Sequence, residues 1–307
     1  MPSARVTPVV VTYNSRAVVG DALASLKESR EADVIEECIV IDNRSADDTA
    51  KFIRLDHPWC TLIETGKNLG FGRASNIGIQ RSSTPYVLLL NPDANLPSSG
   101  INYLASFLDA HPHVGAAGPA IRHPDGGWQL AGTLPTPVSL LLNALGRLGR
   151  PPEVHKIEPG GLPFRAQWIT GAIVMLRRAM LDEIGLFDPR FFLYWEETDL
   201  WFRAQKAGWE LWAVGGAIGT HIRGASVEKE RALYHGCIAE HYFKSRFYYL
   251  VRRFGRPVAS VIELLEFMFL AAGAAADMLH GVRPDDFAVR FRAPLLQLPN
   301  DVPREQP

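Results

Sequence analysis

Tyr86-Val87-Leu88-Leu89-Leu90-Asn91-Pro92-Asp93 carries the plainest structural signal in the chain. Five apolar residues stand between Pro85 and Asn91-Pro92 without the alternation of a half-exposed strand. A continuous run of this kind belongs to a strand covered on both faces, as inside a parallel sheet. Such a strand delivers its next residues to the carboxyl edge of the sheet, where open α/β folds bind ligands. Here those residues are Asn91 and Asp93, with Pro92 fixing the backbone between them. A carboxylate there can hold a hard divalent cation, which usually takes one or two protein carboxylates and completes its shell with substrate phosphates. Taken alone, Asn-Pro-Asp is equally well a turn after a strand, so the flanking sequence decides.

Upstream, three more strand patterns alternate with helical ones. Val6–Thr12 is β-branched and ends in Thr12-Tyr13-Asn14-Ser15, where Asn14 or Ser15 can cap a helix bearing Val19, Ala22, Leu23 and Leu26 on one face. Glu37–Ile41 ends in Asp42-Asn43-Arg44-Ser45, with Ser45 placed to cap the next helix. Thr61–Ile63 leads to Asn68-Leu69-Gly70-Phe71-Gly72-Arg73 and a helix through Ile79. Four strands and their helices in under a hundred residues predict a parallel sheet with right-handed crossovers. Polar strand ends then recur on one edge, and Thr12, Asn14, Asp42, Asn43, Asn68, Gly70, Arg73, Asn76 and Asn91 become candidates for holding a nucleotide. Gly70-Phe71-Gly72-Arg73-Ala74-Ser75 nearly matches the dinucleotide-binding G-x-G-x-x-G. A dehydrogenase is nevertheless disfavoured, because that turn belongs after the first strand, where Thr-Tyr-Asn-Ser stands.

Composition bounds the rest. With 307 residues and 47% hydrophobic content, the chain is long enough for a large α/β domain plus an appendage. A formal net charge of −1 gives no general attraction to nucleic acid. Cys38, Cys60 and Cys237 stand far apart, which suits structural thiols in a reducing compartment. The N-terminus shows no signal-peptide pattern, so a cytoplasmic protein is expected. Pro257–Met278 is long enough to span a bilayer, but Glu263, Glu266 and Asp277 argue against it. Between 242 and 256, Lys244, Arg246, Arg252, Arg253 and Arg256 interleave with Phe243, Phe247, Tyr248, Tyr249 and Phe254. That mixture suits peripheral contact with an anionic membrane at the inner face of the plasma membrane. A helix packing its aromatic face on the main domain, or a homodimer contact, is the alternative.

Downstream, Ser98 or Ser99 opens a helix, and Val114–Ala117 reads as a further strand. Pro119–Pro163 is rich in Pro and Gly, with periodicity only over Val138–Leu148, and is expected to contact an acceptor. Trp168–Leu176 reads as a strand in which Gly171 admits a ligand close to the backbone. Next comes Leu186–Trp195, an apolar lead-in to Glu196-Glu197-Thr198-Asp199 and a helix. Acids favour a first helical turn, but an apolar lead-in should also desolvate one of them and raise its pKa, as a general base requires. Glu196 and Asp199 share a helix face while Glu197 points about 100° away. Short strands follow at Trp209–Val214 and Ala217–His221, and His221 is the best placed of nine histidines for a metal or diphosphate.

Together T-Y-N-S, D-N-R-S-x-D-x-T, N-x-G-F-G-x-x-x-N, L-L-N-P-D, W-E-E-T-D-L-W-x-R-A-x-x-A-G-W and H-x-x-G-x-S resemble, in order from Val6 to Val227, the inverting family 2 glycosyltransferases. The closest likeness is to bacterial rhamnosyltransferases that act on lipid-linked acceptors in polysaccharide synthesis. This resemblance implies the GT-A fold, a Rossmann-like, mostly parallel sheet flanked by helices, over residues 1–235. Residues 236–307 would form a C-terminal helical segment for membrane-surface or dimer contact. It further implies an NDP-sugar donor, dTDP-rhamnose before a UDP- or GDP-hexose, a glycan or lipid-linked acceptor, and Mg²⁺ or Mn²⁺. Asp93 would stand at the second acid of the family's D-x-D metal motif and Asn91 at its first, with His221 as a further metal ligand. The base would be Glu197, with Glu196 in reserve and Asp199 beside them, and Asp42 would read the nucleotide base. A sugar-nucleotide pyrophosphorylase would want a basic, Gly-rich loop where Thr-Tyr-Asn-Ser stands. A non-catalytic donor-binding protein would have no use for the acids at 93, 196, 197 and 199.

Overall fold

The computed structural model describes residues 5–144, 154–222, 237–279, 290–291 and 293–299. Arg223, Gly224 and Ser226 of the H-x-x-G-x-S pattern, the end of the Val138–Leu148 periodicity and the side chain of Asp277 lie outside them. In chain order the strands are β1 (Val6–Thr12), β2 (Ile39–Asp42), β3 (Thr61–Glu64), β4 (Tyr86–Leu90), β5 (Ala94–Asn95), β6 (Val114–Arg122), β7 (Leu130–Ala131), β8 (His155–Lys156), β9 (Phe164–Ala166), β10 (Ile173–Arg177) and β11 (Glu210–His221). The helices are α1 (Val19–Glu31), α2 (Thr49–Asp56), α3 (Phe71–Arg81), α4 (Ser98–Ala110), α5 (Pro137–Ala144), α6 (Arg178–Ile184), α7 (Glu196–Lys206), α8 (Cys237–Phe254) and α9 (Arg256–Leu279).

One sheet runs in the order β3-β2-β1-β4-β10-β6-β11-β5, with β9 on β11. β4 lies at its centre, and all five of its residues are buried. Tyr86, Leu88 and Leu90 face α1 and α4, while Val87 and Leu89 face Ile79 of α3 and Leu200, Trp201 and Ala204 of α7. Both faces are therefore covered, as the unbroken apolar run predicts. β1 takes β2 on one side and β4 on the other, both parallel, with Val9 opposite Ile39 and Leu89. Each Val or Leu buried in this layer contributes about 1.5–3 kcal/mol.

The sheet is not parallel throughout. β10 inserts antiparallel between β4 and β6, and β5 and β9 are antiparallel to β11. The expected strand from Trp168 is shorter, starting at Ile173, because residues 168–172 turn over the sheet edge beside α7. The two short strands expected around residue 215 are one strand, β11, whose register slips on β6 between Val214 and Ile218.

The C-terminal helices pack beneath the Leu186–Trp195 loop. Phe247, Tyr248, Tyr249 and Leu250 of α8 and Ile262 of α9 form a buried cluster with Phe191 and Trp195. The basic-aromatic stretch of α8 is thus mostly interior: Phe243, Arg246, Phe247, Tyr248 and Tyr249 are buried. The aromatic residues of 242–256 therefore take the packing alternative, while Arg253 and Arg256 of the same stretch stay exposed. Aromatic residues at helical spacing do here what they most often do, which is to fill core.

Candidate active site

The chain leaves β4 through Asn91 and Pro92 and turns into β5, whose pairing with β11 sets Ala94 opposite His221. Asp93, at that turn, meets His221 with Oδ1 3.0 Å from Nε2. Both side chains are about one-tenth exposed. The ring of His123 lies 6.3 Å from that of His221. Asp93 also borders a groove of about 350 Å³ between α1 and the β5–β11 edge, where Asp21, Ser25 and Thr220 lie. Two residues that stand 128 positions apart are thus one carboxylate–imidazole pair. Among the described residues no three His, Cys, Asp or Glu side chains gather into a metal cluster. One carboxylate and one imidazole fit a divalent cation that takes its remaining ligands from a diphosphate and water.

On the far side of β4, the ladder to β10 extends past the strand ends, and Asn91 N–H donates to Ala172 O at 2.8 Å. A Cβ at the neighbouring Gly171 would sit 3.9 Å from Cβ of Glu197. Through Asn91, Ala172 and Gly171 the acid pair therefore approaches the edge that carries Asp93. Gly171 leaves ordinary van der Waals room beside Glu197 rather than an unusually close backbone approach.

Glu196 and Glu197 open α7 after two consecutive residues in the left-handed region, Tyr194 (φ 64°) and Trp195 (φ 69°). Neither is glycine, so the bend stores strain of the kind that gathers at functional sites. The helical step then parts the two acids. Glu196 is buried and turned to α3, where a Cβ at Gly72 would lie 3.5 Å from its own. Glu197 is only half-buried and turned to Gly171. Each Oε2 is buried without a hydrogen-bond partner. Burial pushes the Glu196 pKa well above the ordinary carboxylate range, with the charge of Glu197 adding to it. Burial likewise raises that of Glu197.

Asp199 has a different fate. Arg203 donates to its Oδ2 at 2.8 Å and Arg252 of α8 lies 3.6 Å from Oδ1. Held between two guanidinium groups, Asp199 anchors α7 rather than standing free beside Glu196 and Glu197. The same Arg252 reaches Asp188, which also accepts from Arg190 Nε (2.9 Å), Arg190 Nη2 (2.8 Å) and Tyr248 O–H (2.9 Å). Burial would raise the Asp188 pKa, yet these donors hold it below the ordinary value. Asp188, Tyr248 and Arg252 thus clamp the acid-bearing loop onto α8. In sequence Tyr248 and Arg252 read only as part of the basic-aromatic stretch and Asp188 is not singled out, although Asp188-Pro189-Arg190 is a turn with a cation at the spacing that bends back on the acid.

Several polar residues read as ligand contacts are spent on holding loops together. Asp42 accepts from Thr12 Oγ1 (3.0 Å), Ser45 Oγ (2.6 Å) and Ser45 N–H (2.9 Å). Ser45 is therefore a partner of Asp42, and α2 begins only at Thr49. Asn14, itself left-handed, joins the first two strand-end loops by accepting from Ala46 N–H at 2.7 Å. Asn43 donates to Asn68 at 2.9 Å and accepts from Leu69 N–H at 2.8 Å. Asn76 exchanges two bonds with the backbone of Phe187, at 2.8 and 3.0 Å. Gly70 is required where it stands: φ is +82°, and an added Cβ would lie 2.0 Å from Phe192 O. Arg73 is half-buried on the first turn of α3.

Residues 7–185 match the profile of "Glycosyl transferase family 2". The chain belongs to this family. As a family 2 sugar transferase it is 32% identical, over 270 residues, to an "N-acetylglucosaminyl-diphospho-decaprenol L-rhamnosyltransferase" of Mycobacterium tuberculosis, a match covering 81% of this chain and 85% of that protein. It is 23% identical over 203 residues to the "dTDP-rhamnosyl transferase RfbF" of Shigella flexneri, covering 65% and 63%. In structure it superposes on the mannosyltransferase PcManGT of Pyrobaculum calidifontis, solved with GDP-Man and Mn²⁺, with a TM-score of 0.55 at 18% identity over 94% of this chain and 85% of that one. The transferase therefore has the GT-A fold.

Proposed function

We propose that this transferase moves rhamnose from dTDP-rhamnose to a hydroxyl of a lipid-linked saccharide during cell-surface polysaccharide synthesis, with inversion at the anomeric carbon. The observation that carries the reading is the likeness to the mycobacterial rhamnosyltransferase, which runs through both the Asp93 edge and the acid pair in 81% of the chain. Glu197, half-buried and turned to Gly171, is the base. Its raised pKa makes it a stronger proton acceptor than a surface carboxylate, and it takes the proton of the acceptor hydroxyl as that oxygen attacks. Glu196, pushed up by the same burial and by its neighbour's charge, is the harder of the two to ionise, which favours Glu197 as the base. Asp93 and His221 are the residues that would hold Mg²⁺ or Mn²⁺, whose charge would offset that developing on the leaving diphosphate. Asn14, Asp42 and Asn43 shape the nucleotide end by fixing the strand-end loops.

The test is a thermal-shift panel of dTDP, UDP, GDP and NAD with and without Mn²⁺, followed by transfer assays with Glu197→Gln. Stabilisation by dTDP, and a variant that binds dTDP normally but transfers nothing, are the expected results. Stabilisation by NAD and by no nucleoside diphosphate would overturn the reading. Stabilisation by UDP or GDP alone would move the donor to another hexose.

A further inference from the structure

Helix α9 carries its charge inward. Glu263 and Glu266 are 1% and 9% exposed. Arg246 of α8 lies 2.7 Å from Glu266 and 3.3 Å from Glu263, and Arg290 caps both acids from the other side. The opposite face is apolar and in water: Val258, Val261, Leu264 and Met268 are 42%, 54%, 43% and 62% exposed, and Leu279 continues the same stripe. The recurrence every three or four residues places these on one side of the helix, about half a turn from the two acids. Between Pro257 and Ala276 the sequence contains no charged residue besides Glu263 and Glu266. Over Arg256–Ala276 the mean hydropathy is 1.8, yet only 22% of that stretch is buried. A surface helix of a water-soluble domain has the reverse polarity.

The cations around the stripe select its occupant. Arg253, stacked on Phe202, and Arg256 are both exposed at the α8–α9 corner, where the stripe begins. Two copies of this face meeting each other would bring such arginines against a stripe with no outward acid between 257 and 276. A lipid surface supplies what they lack, phosphate groups at the level where an interfacial helix buries its apolar side. We propose that α9 is a membrane-docking helix, lying along an anionic bilayer with the Val258–Leu279 stripe among the acyl chains and Arg253 and Arg256 on lipid phosphates. The proposal rests on the lipid-linked acceptor argued above and deepens it. Because α8 joins α9 to the loop that leads into Glu196 and Glu197, docking would hold the acids at a fixed height over the headgroups.

The test is co-sedimentation of the full chain, without donor, metal or acceptor, with phosphatidylglycerol–phosphatidylcholine vesicles and with phosphatidylcholine vesicles. Binding to the anionic vesicles is expected, weakened by salt. It should be lost in Leu264→Asp/Met268→Asp and reduced in Arg256→Glu, with thermal midpoints unchanged because these sites are exposed. No vesicle binding by the native chain, or undiminished binding by the double variant, would overturn the proposal. So would a dimer on sedimentation velocity that the double variant dissolves, which would make a second copy the occupant. Vesicle binding is read without sugar transfer, so a chain that docks yet transfers nothing refutes the transferase reading and leaves the docking intact.

Discussion

Replacing Gly70 with alanine should disable catalysis from a position that takes no part in the chemistry. At φ 82° and ψ 174° the residue occupies a region open essentially to glycine alone, so an alanine there costs about 1–3 kcal/mol. The new Cβ would also lie 2.0 Å from Phe192 O, where real Cβ atoms do not come within 3.0 Å, so something must move by about 1 Å. The overlap adds about 1–3 kcal/mol, giving roughly 2–6 kcal/mol in all. A domain of ordinary stability, about 5–15 kcal/mol, survives most of that range with its melting temperature lowered by roughly 5–20 °C. Phe192 stands four residues before Glu196, and its carbonyl accepts from Phe71 N–H at 3.0 Å. Relief therefore falls on the loop that aims the acids, and a 1 Å misplacement costs on the order of 100-fold in rate. Gly66→Ala is the control, with φ 69° and nothing within 4 Å of the new Cβ. It bears the left-handed strain, about 1–2 kcal/mol, without the overlap. Initial rates of sugar transfer, measured where both variants are folded by circular dichroism, make the comparison. If Gly70→Ala transfers as fast as Gly66→Ala, the loop is not aimed by this contact and the reasoning fails.

Transfer by the native enzyme should fall as pH drops through the raised pKa of Glu197, because a base works only when ionised. In a rate–pH profile Glu196→Gln should keep this acid limb, while Glu197→Gln should lose it, with a deficit of about 10²–10⁴-fold above that pKa that narrows in acid; the opposite pattern exchanges their roles. His221→Ala should weaken Mn²⁺ binding in the presence of dTDP on the order of 10–100-fold by calorimetry, with the fold intact; equal affinity would remove His221 from the metal set. Asp188→Asn should destabilise the protein by about 1–3 kcal/mol, less than for a fully buried pair because Arg190 and Arg252 are partly solvated. The Asp188 pKa is depressed in the folded state, so its stabilisation is present above the ordinary aspartate value and lost as pH falls below it. Denaturant titrations should therefore show the native and variant curves converging in acid, and a gap that persists there would contradict the assignment.

The legible part of the fold was the part written in periodicity. β4 is an unbroken apolar run and is buried on both faces, and the pattern after Trp195 is the helix it promised. The direction of β10 was not legible, because an apolar strand reads alike whichever way it runs between its neighbours. Polar strand ends announced the edge but not their duties. Asn43 and Asn76 have the chemistry of ligand contacts, and only the fold shows them tying loops to backbone. The aromatic residues of α8 posed the same problem, since a stripe that buries and a stripe that docks have one spacing. What separates α8 from α9 is which side faces the rest of the molecule, and that is a property of tertiary packing.

The match to the family profile stops at residue 185, eleven positions short of Glu196. The segment beyond that point is tied down at Asp188, seized by Tyr248 and Arg252 some sixty residues later. A chain cut at residue 236 would retain the signature and both glutamates while losing the splint that sets their aim. Enzymes assembled by grafting these motifs onto another scaffold would inherit the alphabet without the grammar, unless the distal helix travels with them.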